Sequence, residues 1–148
     1  MGRDNEIGFA VRRLFNAIKR DIESSNEKEG IEHIKGINGW AISYFYDNRD
    51  KDIFQRDFEE RFAIRGSTAS RMLKTMEQKG FIERLAVKND ARLKKIVITD
   101  KAIENHERII ASIKKREERL KSGINEDEIE IFFNVMKKLT ANMEAEND

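Results

Sequence analysis

Apolar residues recur along the start of the chain at spacings of three and four. Ile7, Val11, Leu14, Phe15, Ile18 and Ile22 share one face, which predicts an amphipathic helix over roughly residues 5–25. Ser24, Ser25, Asn26 and Gly30 interrupt that pattern. After Gly39 the pattern changes: Trp40, Ile42, Tyr44, Phe45 and Tyr46 cover much of a helix's circumference, up to the polar run Asp47-Asn48-Arg49-Asp50. A helix apolar on most sides is central, so Trp40 and the tyrosines are expected in the core. Phe54, Phe58 and Phe62 follow at intervals of four, which stacks three rings along one stripe of a short third helix. Gly66 then breaks the chain, and Ser67 or Thr68 can cap a fourth helix. Met72, Leu73 and Met76 form the buried side of that helix, Ser70, Arg71, Lys74 and Gln78 its outward side, and Gly80 suits a left-handed end.

The period shortens to two beyond this point. Residues 81–88 and 93–99 are rich in β-branched and apolar side chains, and Asn89-Asp90 supplies turn chemistry between them, so the two segments predict a hairpin. Thr99 and Asp100 suit the start of a long helix, along which Ile103, Ile110, Ile113 and Leu120 form a seam. Gly123 stops it, and Asn125 with Glu128 reads as a capping box for a last helix bearing Ile129, Phe132, Phe133, Met136, Leu139 and Met143. The order is that of a mainly α (α+β) fold, a winged helix-turn-helix with a two-stranded β wing. We expect a single domain over 1–148, with a reading lobe at 37–99 flanked by N- and C-terminal dimerisation helices at 1–36 and 100–148. The first and last helices keep apolar faces outside the lobe, which favours a homodimer over a purely intramolecular bundle. Two recognition helices related by a two-fold axis can meet half-sites about 34–36 Å apart on a duplex.

Charge sharpens this picture where the total does not. The net charge is only +1, yet residues 65–95 carry 9 lysines and arginines against 3 acidic residues, a local excess of +6. The positive charge sits on the fourth helix and the hairpin, the footprint of a face presented to phosphates. The chain has no cysteine, which removes disulfides and thiol redox sensing. It has no apolar run long enough for a membrane span and no leader pattern, so a cytoplasmic protein with no membrane partner is expected. Catalysis has no support: there is no Gly-rich phosphate loop, no Gly-x-Ser-x-Gly elbow and no paired-histidine metal motif, and neither an enzymatic activity, a cofactor nor a metal is expected. The two histidines, His33 beside Glu32 and His106 beside Glu107, lack a second histidine at helical spacing and read as surface residues.

Two stretches carry a family resemblance. Ser67-Thr68-Ala69-Ser70-Arg71-Met72-Leu73-Lys74, continuing through Glu77-Gln78-Lys79-Gly80-Phe81-Ile82, and Asp90-Ala91-Arg92 followed by Ile98-Thr99, resemble the recognition helix and the wing of the MarR family of bacterial and archaeal transcription regulators. Ile98 stands where that family usually has leucine, a change that preserves volume. The resemblance implies that Arg92 enters the minor groove from the wing tip and that Asp90 orients its surroundings through a charge-assisted hydrogen bond. It places Ser67, Thr68, Ser70 and Arg71 near base edges or phosphates and Lys74 on the DNA backbone. Lys94 and Lys95 add phosphate contacts, subject to strand neighbours facing opposite sides. Many relatives bind a small aromatic or lipophilic effector between the dimerisation helices and the lobe, and by that analogy Phe15, Trp40, Tyr44 and Phe45 are the candidate pocket residues.

The functional expectation is a DNA-binding transcriptional regulator: a homodimeric repressor on a pseudo-palindromic operator in double-stranded DNA, modulated by a small ligand. The alternative is a winged-helix protein-interaction module without specific DNA binding, which the near-neutral total charge and the acidic flanks motivate.

Overall fold

The computed structural model describes residues 2–145. Residues 1 and 146–148 of the expected 1–148 domain lie outside the described residues. Contacts gather the chain into two compact units, 1–110 and 111–148, with the boundary inside one long helix.

The first unit opens with a short 3-10 turn at Arg3–Asn5 and helix α1 (Ile7–Glu29). The helix runs through Ser24 and Ser25 and ends only where Gly30 turns left-handed (φ 64), because serine weakens a helix interior without breaking it. No residue of α1 is buried. Helix α2 (Ile37–Asp47) begins before Gly39 and not after it. Gly39 sits in the first turn, where a Cβ would lie 3.3 Å from the Ile34 carbonyl oxygen.

The buried side of α2 is Ala41, Ile42 and Phe45. Trp40 is not on it. At 3.6 residues per turn its side chain points about 150° away from the middle of that face, and it is 72% exposed. The expectation of a core tryptophan is therefore corrected: the five apolar positions of this helix cover more of its circumference than the fold buries. Tyr44 and Tyr46 are half-buried.

A two-residue strand, β1 (Ile53–Phe54), precedes α3 (Gln55–Phe62), α4 (Gly66–Gln78), β2 (Ile82–Val87) and β3 (Asp90–Ile98). The hairpin β2–β3 is present, and β1 pairs with β3 on its other side (Ile53 with Ile96, Phe54 with Lys95), so the sheet has three strands in the order β1-β3-β2. Phe54 thus belongs to the strand and not to the third helix. Its amide donates to Asp57 Oδ2 at 2.8 Å, which starts α3 one residue later.

The core joins α2, α3, α4, the sheet and the start of α5 (Asp100–Lys121). Phe58, Phe81, Ile42, Leu73, Met76 and Ile82 are its largest fully buried side chains. Each contributes roughly 1.5–3 kcal/mol of apolar transfer free energy. Phe58 packs its ring against Phe45 at 5.4 Å and Phe62 at 5.2 Å, keeping two of the three rings expected in a stripe.

Two junctions fix the reading elements to this core. Gly80 adopts φ 77 as α4 ends, a backbone shape that costs a residue with a Cβ and that delivers Phe81 and Ile82 to the core. Thr99 then caps α5 as expected: its Oγ1 accepts from the Ala102 amide at 3.3 Å while its hydroxyl donates to the Gly80 carbonyl at 2.6 Å. Farther along, the buried Asn105 accepts from the Glu32 amide (2.8 Å) and donates to the Glu32 carbonyl (3.0 Å), pinning the segment between α1 and α2.

In the second unit, Gly123 ends the turn after α5 and α6 spans Glu126–Glu144. The capping box is formed: the Glu128 amide donates to Asn125 Oδ1 (2.9 Å) and the Asn125 amide to Glu128 Oε2 (3.1 Å). No residue of α6 is buried.

Candidate nucleic-acid interface

Helix α4 divides cleanly into two sides. Ala69, Leu73 and Met76 are buried, whereas Ser67, Ser70, Arg71 and Lys74 are exposed and Thr68 is half-buried. Neither Ser67 nor Thr68 is the N-cap. Arg65 holds that position in an extended conformation without a side-chain bond, and Gly66 is the first helical residue. Both hydroxyl residues therefore stand in the first turn. The Glu59 carboxylate lies against that turn, 3.0 Å from where a Cβ on Gly66 would sit, and negative charge is favourable at the positive end of a helix. No acidic side chain among the described residues pairs with Arg71 or Lys74.

The wing presents a different arrangement. Asp90 Oδ1 accepts a hydrogen bond from the Arg92 backbone amide at 2.9 Å. The charge-assisted bond is thus made to the main chain, not to the guanidinium. It braces the turn and leaves the exposed Arg92 side chain without an acidic partner among the described residues. Strand alternation separates the two lysines: Lys94 is exposed, whereas Lys95 is half-buried and its Nζ lies 2.6 Å from Asp52 Oδ1. Lys95 is therefore paired with Asp52, whereas Lys94 is not, as the alternation of strand neighbours led one to expect.

Between α3, α4 and the wing lies a cleft of about 460 Å³, whose lining includes Gln55, Arg56, Leu73, Arg84, Arg92 and Lys94. Four cations and no carboxylate line it. Arg56 and Arg84 had not been singled out from the sequence. Arg84 could have been, as a member of the +6 segment, whereas Arg56 enters only because β1 brings the start of α3 up to the wing. Arg84 makes two bonds to Glu77 of α4, Nε to Oε2 at 3.3 Å and Nη2 to Oε1 at 3.1 Å. That pair holds the Glu77 carboxyl below its ordinary value, first through the hydrogen bond and then through charge, with Lys94 adding to the effect.

The four candidate effector residues are not gathered in one place. Phe45 is core, Tyr44 is half-buried with its ring 5.7 Å from Phe45, and Phe15 and Trp40 are 61% and 72% exposed. Phe45 also lines a cleft of about 290 Å³ with Arg49, Lys95 and Ile103, to which Phe15, Trp40 and Tyr44 do not contribute. Burial raises the Tyr44 hydroxyl above its usual pKa, so it stays a neutral donor. His106 packs on the Tyr46 ring at 4.5 Å, and burial lowers its imidazole against the pull of Asp47 and Glu107. Among the described residues no cluster of three or more histidine and carboxylate groups could hold a metal ion.

Among comparisons with known proteins, the family profile falls on the same segment, and the structural likenesses extend over nearly the whole chain. The sequence profile described as MarR family matches residues 49–94, which run from just after α2 through α3 and α4 into the wing. The Bacillus subtilis protein YwaE, named as an uncharacterized HTH-type transcriptional regulator, is 31% identical over 88 residues, covering 60% of this chain. That match spans about half of YwaE, 52% of its length. The heme sensor protein PefR from Streptococcus agalactiae, solved with heme, is 27% identical and superimposes with a TM-score of 0.75 over 94% of this chain and 95% of its own. The S. aureus MepR–DNA complex gives a TM-score of 0.73 at 23% identity, over 93% of this chain and 99% of MepR, and shares the fold. With α4 and the wing inside the matched segment, and a likeness to PefR along nearly the whole length, the chain is similar to MarR-family proteins in its recognition helix and wing and to PefR in fold.

Proposed function

We propose that the protein is a homodimeric transcriptional regulator, a repressor that binds a pseudo-palindromic operator with α4 in the major groove and the wing in the minor groove. The observation that carries this reading is a set of exposed cations without an ion-pair partner among the described residues: Arg71 and Lys74 of α4, and Arg92 and Lys94 of the wing. Arginine suits both roles, bidentate to guanine in the major groove and inserted into a narrow minor groove. Ser67, Thr68 and Ser70 supply short polar groups for the helix's first turns, and Asp90 serves by fixing the turn. The MepR structure with DNA supports the docking as an analogy of fold.

In this reading residues 37–99 are the reading lobe, and 1–36 and 100–148 supply dimerisation helices. It is a binding protein and not an enzyme, and it works in the cytoplasm, where its DNA is. Heme in PefR and ethidium in MepR support a planar aromatic or lipophilic effector. Phe15, Trp40, Tyr44 and Phe45, although a single chain does not gather them in one place, are the residues we assign to it.

The test is fluorescence anisotropy with labelled DNA from upstream of the protein's own gene, against random duplex, over a salt series. Specific binding that falls steeply with salt is expected, and Arg92→Ala weakens it roughly ten- to a hundredfold without unfolding the protein. Absence of binding at every salt concentration would instead support the interaction-module reading.

A further inference from the structure

The wing is attached to the body only at its base. Ile82, Ile96 and Ile98 are buried there, but among the described side chains beyond the pairing of Arg84 with Ile96 none is buried, and Leu85 and Leu93 are 47% and 42% exposed. Two ion pairs meet the hairpin at this boundary. Arg84 reaches Glu77 of α4 with two hydrogen bonds, and Lys95, one step farther out opposite Leu85, reaches Asp52 beside β1. Arg84 shares a face with Ile96, its cross-strand neighbour, and Lys95 with Leu85, so the two pairs grip opposite faces of the ribbon.

We infer that Glu77 and Asp52 are positioning residues which fix the direction of the wing relative to the recognition helix, so that groove contacts from both are made together. The part played in DNA binding rests on the function proposed above; the mechanical part does not. From the level of Ile96 to Arg92 the strand extends about 13 Å at 3.3 Å per residue. A tilt of about 10° at the base therefore carries the tip roughly 2 Å, more than the ~0.5 Å within which a binding constellation must be held. A two-stranded ribbon without a buried face does not resist such tilting by itself. The bidentate geometry of Arg84 on Glu77 resists rotation as well as separation, which a single-point contact does not.

The chain lacks cysteine, so Glu60→Cys and Lys88→Cys give two unique labelling sites, one on α3 and one at the wing turn. Spin-label distances are measured in the otherwise native protein, in Glu77→Gln, in Asp52→Asn and in the double variant, with thermal unfolding as a control for folding. The distance distribution is expected to broaden in each single variant and most in the double one, with the cooperative unfolding transition retained. An unchanged distribution in the folded double variant would overturn the inference.

The consequence for DNA is read by a thermodynamic cycle in anisotropy titrations. Arg92→Ala costs roughly ten- to a hundredfold in the native background and less than about threefold when Glu77→Gln and Asp52→Asn are both present, because a contact already misaligned has little left to lose. Strictly additive effects would overturn the link between wing direction and DNA contact. If the native protein binds no DNA while the distances broaden as stated, the positioning role stands and the DNA reading fails.

Discussion

Neighbouring lysines at 94 and 95 differ because adjacent strand positions face opposite ways: Lys95 meets Asp52, whereas the carboxylate on the other face, Glu77, is already held by Arg84. Lys94 is exposed and has no ion-pair partner among the described residues, whereas Lys95 pairs with Asp52 at 2.6 Å. Lys94→Ala is therefore expected to reduce the slope of log affinity against log salt by about one, and Lys95→Ala to change it little. A salt series on the two variants decides this, and equal losses would show that Lys95 leaves Asp52 to reach DNA. Protonation at His106 gives a second test at this scale. Its imidazole is held below its ordinary value of 6.5, because burial against Tyr46 outweighs the raising effect of Asp47 and Glu107, and Arg49 opposes protonation as well. As pH falls through that ordinary value the unfolded chain takes up the proton first, so stability declines from there until the folded pKa is reached, and no further below it. His106→Gln removes that proton uptake. The variant's unfolding midpoint should fall less than the native one's between pH 7 and the folded pKa, and parallel curves would refute the assignment.

At the scale of elements, the sequence was most legible where local chemistry acts alone. The capping box at Asn125 and Glu128, the Thr99 cap and the left-handed Gly80 involve partners a few residues apart or a backbone shape with one suitable residue. Three misreadings share another cause. Phe54 entered a strand because Ile53 and Phe54 find β3 about forty residues away, a pairing with no local signature. Trp40 faces outward because the lobe buries one side of α2 and hydrophobicity alone does not say which. Ser67 and Thr68 missed the capping position because α4 already starts at Gly66, with Arg65 as its cap. The candidate site followed the same division: Arg71, Lys74 and Arg92 were legible as charge on a motif, whereas Arg56 and the Glu77–Arg84 pair required the third dimension. Thr99 shows how much one end residue can hold. Thr99→Ala removes the α5 cap and the bond to the Gly80 carbonyl where α4 gives way to β2. Chemical denaturation should register a loss of about 1–2 kcal/mol, at the upper end of single-cap effects because two bonds go at once. A loss below about half a kcal/mol would mean that water replaces both.

For the molecule as a whole, the decisive feature is apolar surface that the folded chain leaves open. In α6, Ile131, Phe132, Phe133 and Val135 are 61, 47, 54 and 46% exposed. In α1, taken by itself, Ile7, Val11, Leu14 and Phe15 are 59, 45, 45 and 61% exposed. Scattered apolar residues are ordinary on a surface, but this many on the successive turns of two helices is what association covers. Self-association through a two-fold axis also answers the charge problem. A chain of net charge +1 has little long-range attraction for DNA, whereas two +6 segments on one duplex double the number of phosphates neutralised together. Sedimentation equilibrium should therefore give twice the chain mass of 17.4 kDa at micromolar concentration. Replacing Phe132 and Phe133 together by aspartate should give a monomer, since burying two carboxylates in an apolar interface costs more than that contact returns. The monomer would keep the buried core of the lobe, and its circular dichroism should stay helical. Its affinity for an operator with two half-sites should then drop to that for a single half-site, because the second contact is no longer intramolecular. A variant that stays dimeric would move the interface away from the aromatic face of α6. One that is monomeric yet binds the full operator unchanged would show that each lobe reads DNA alone.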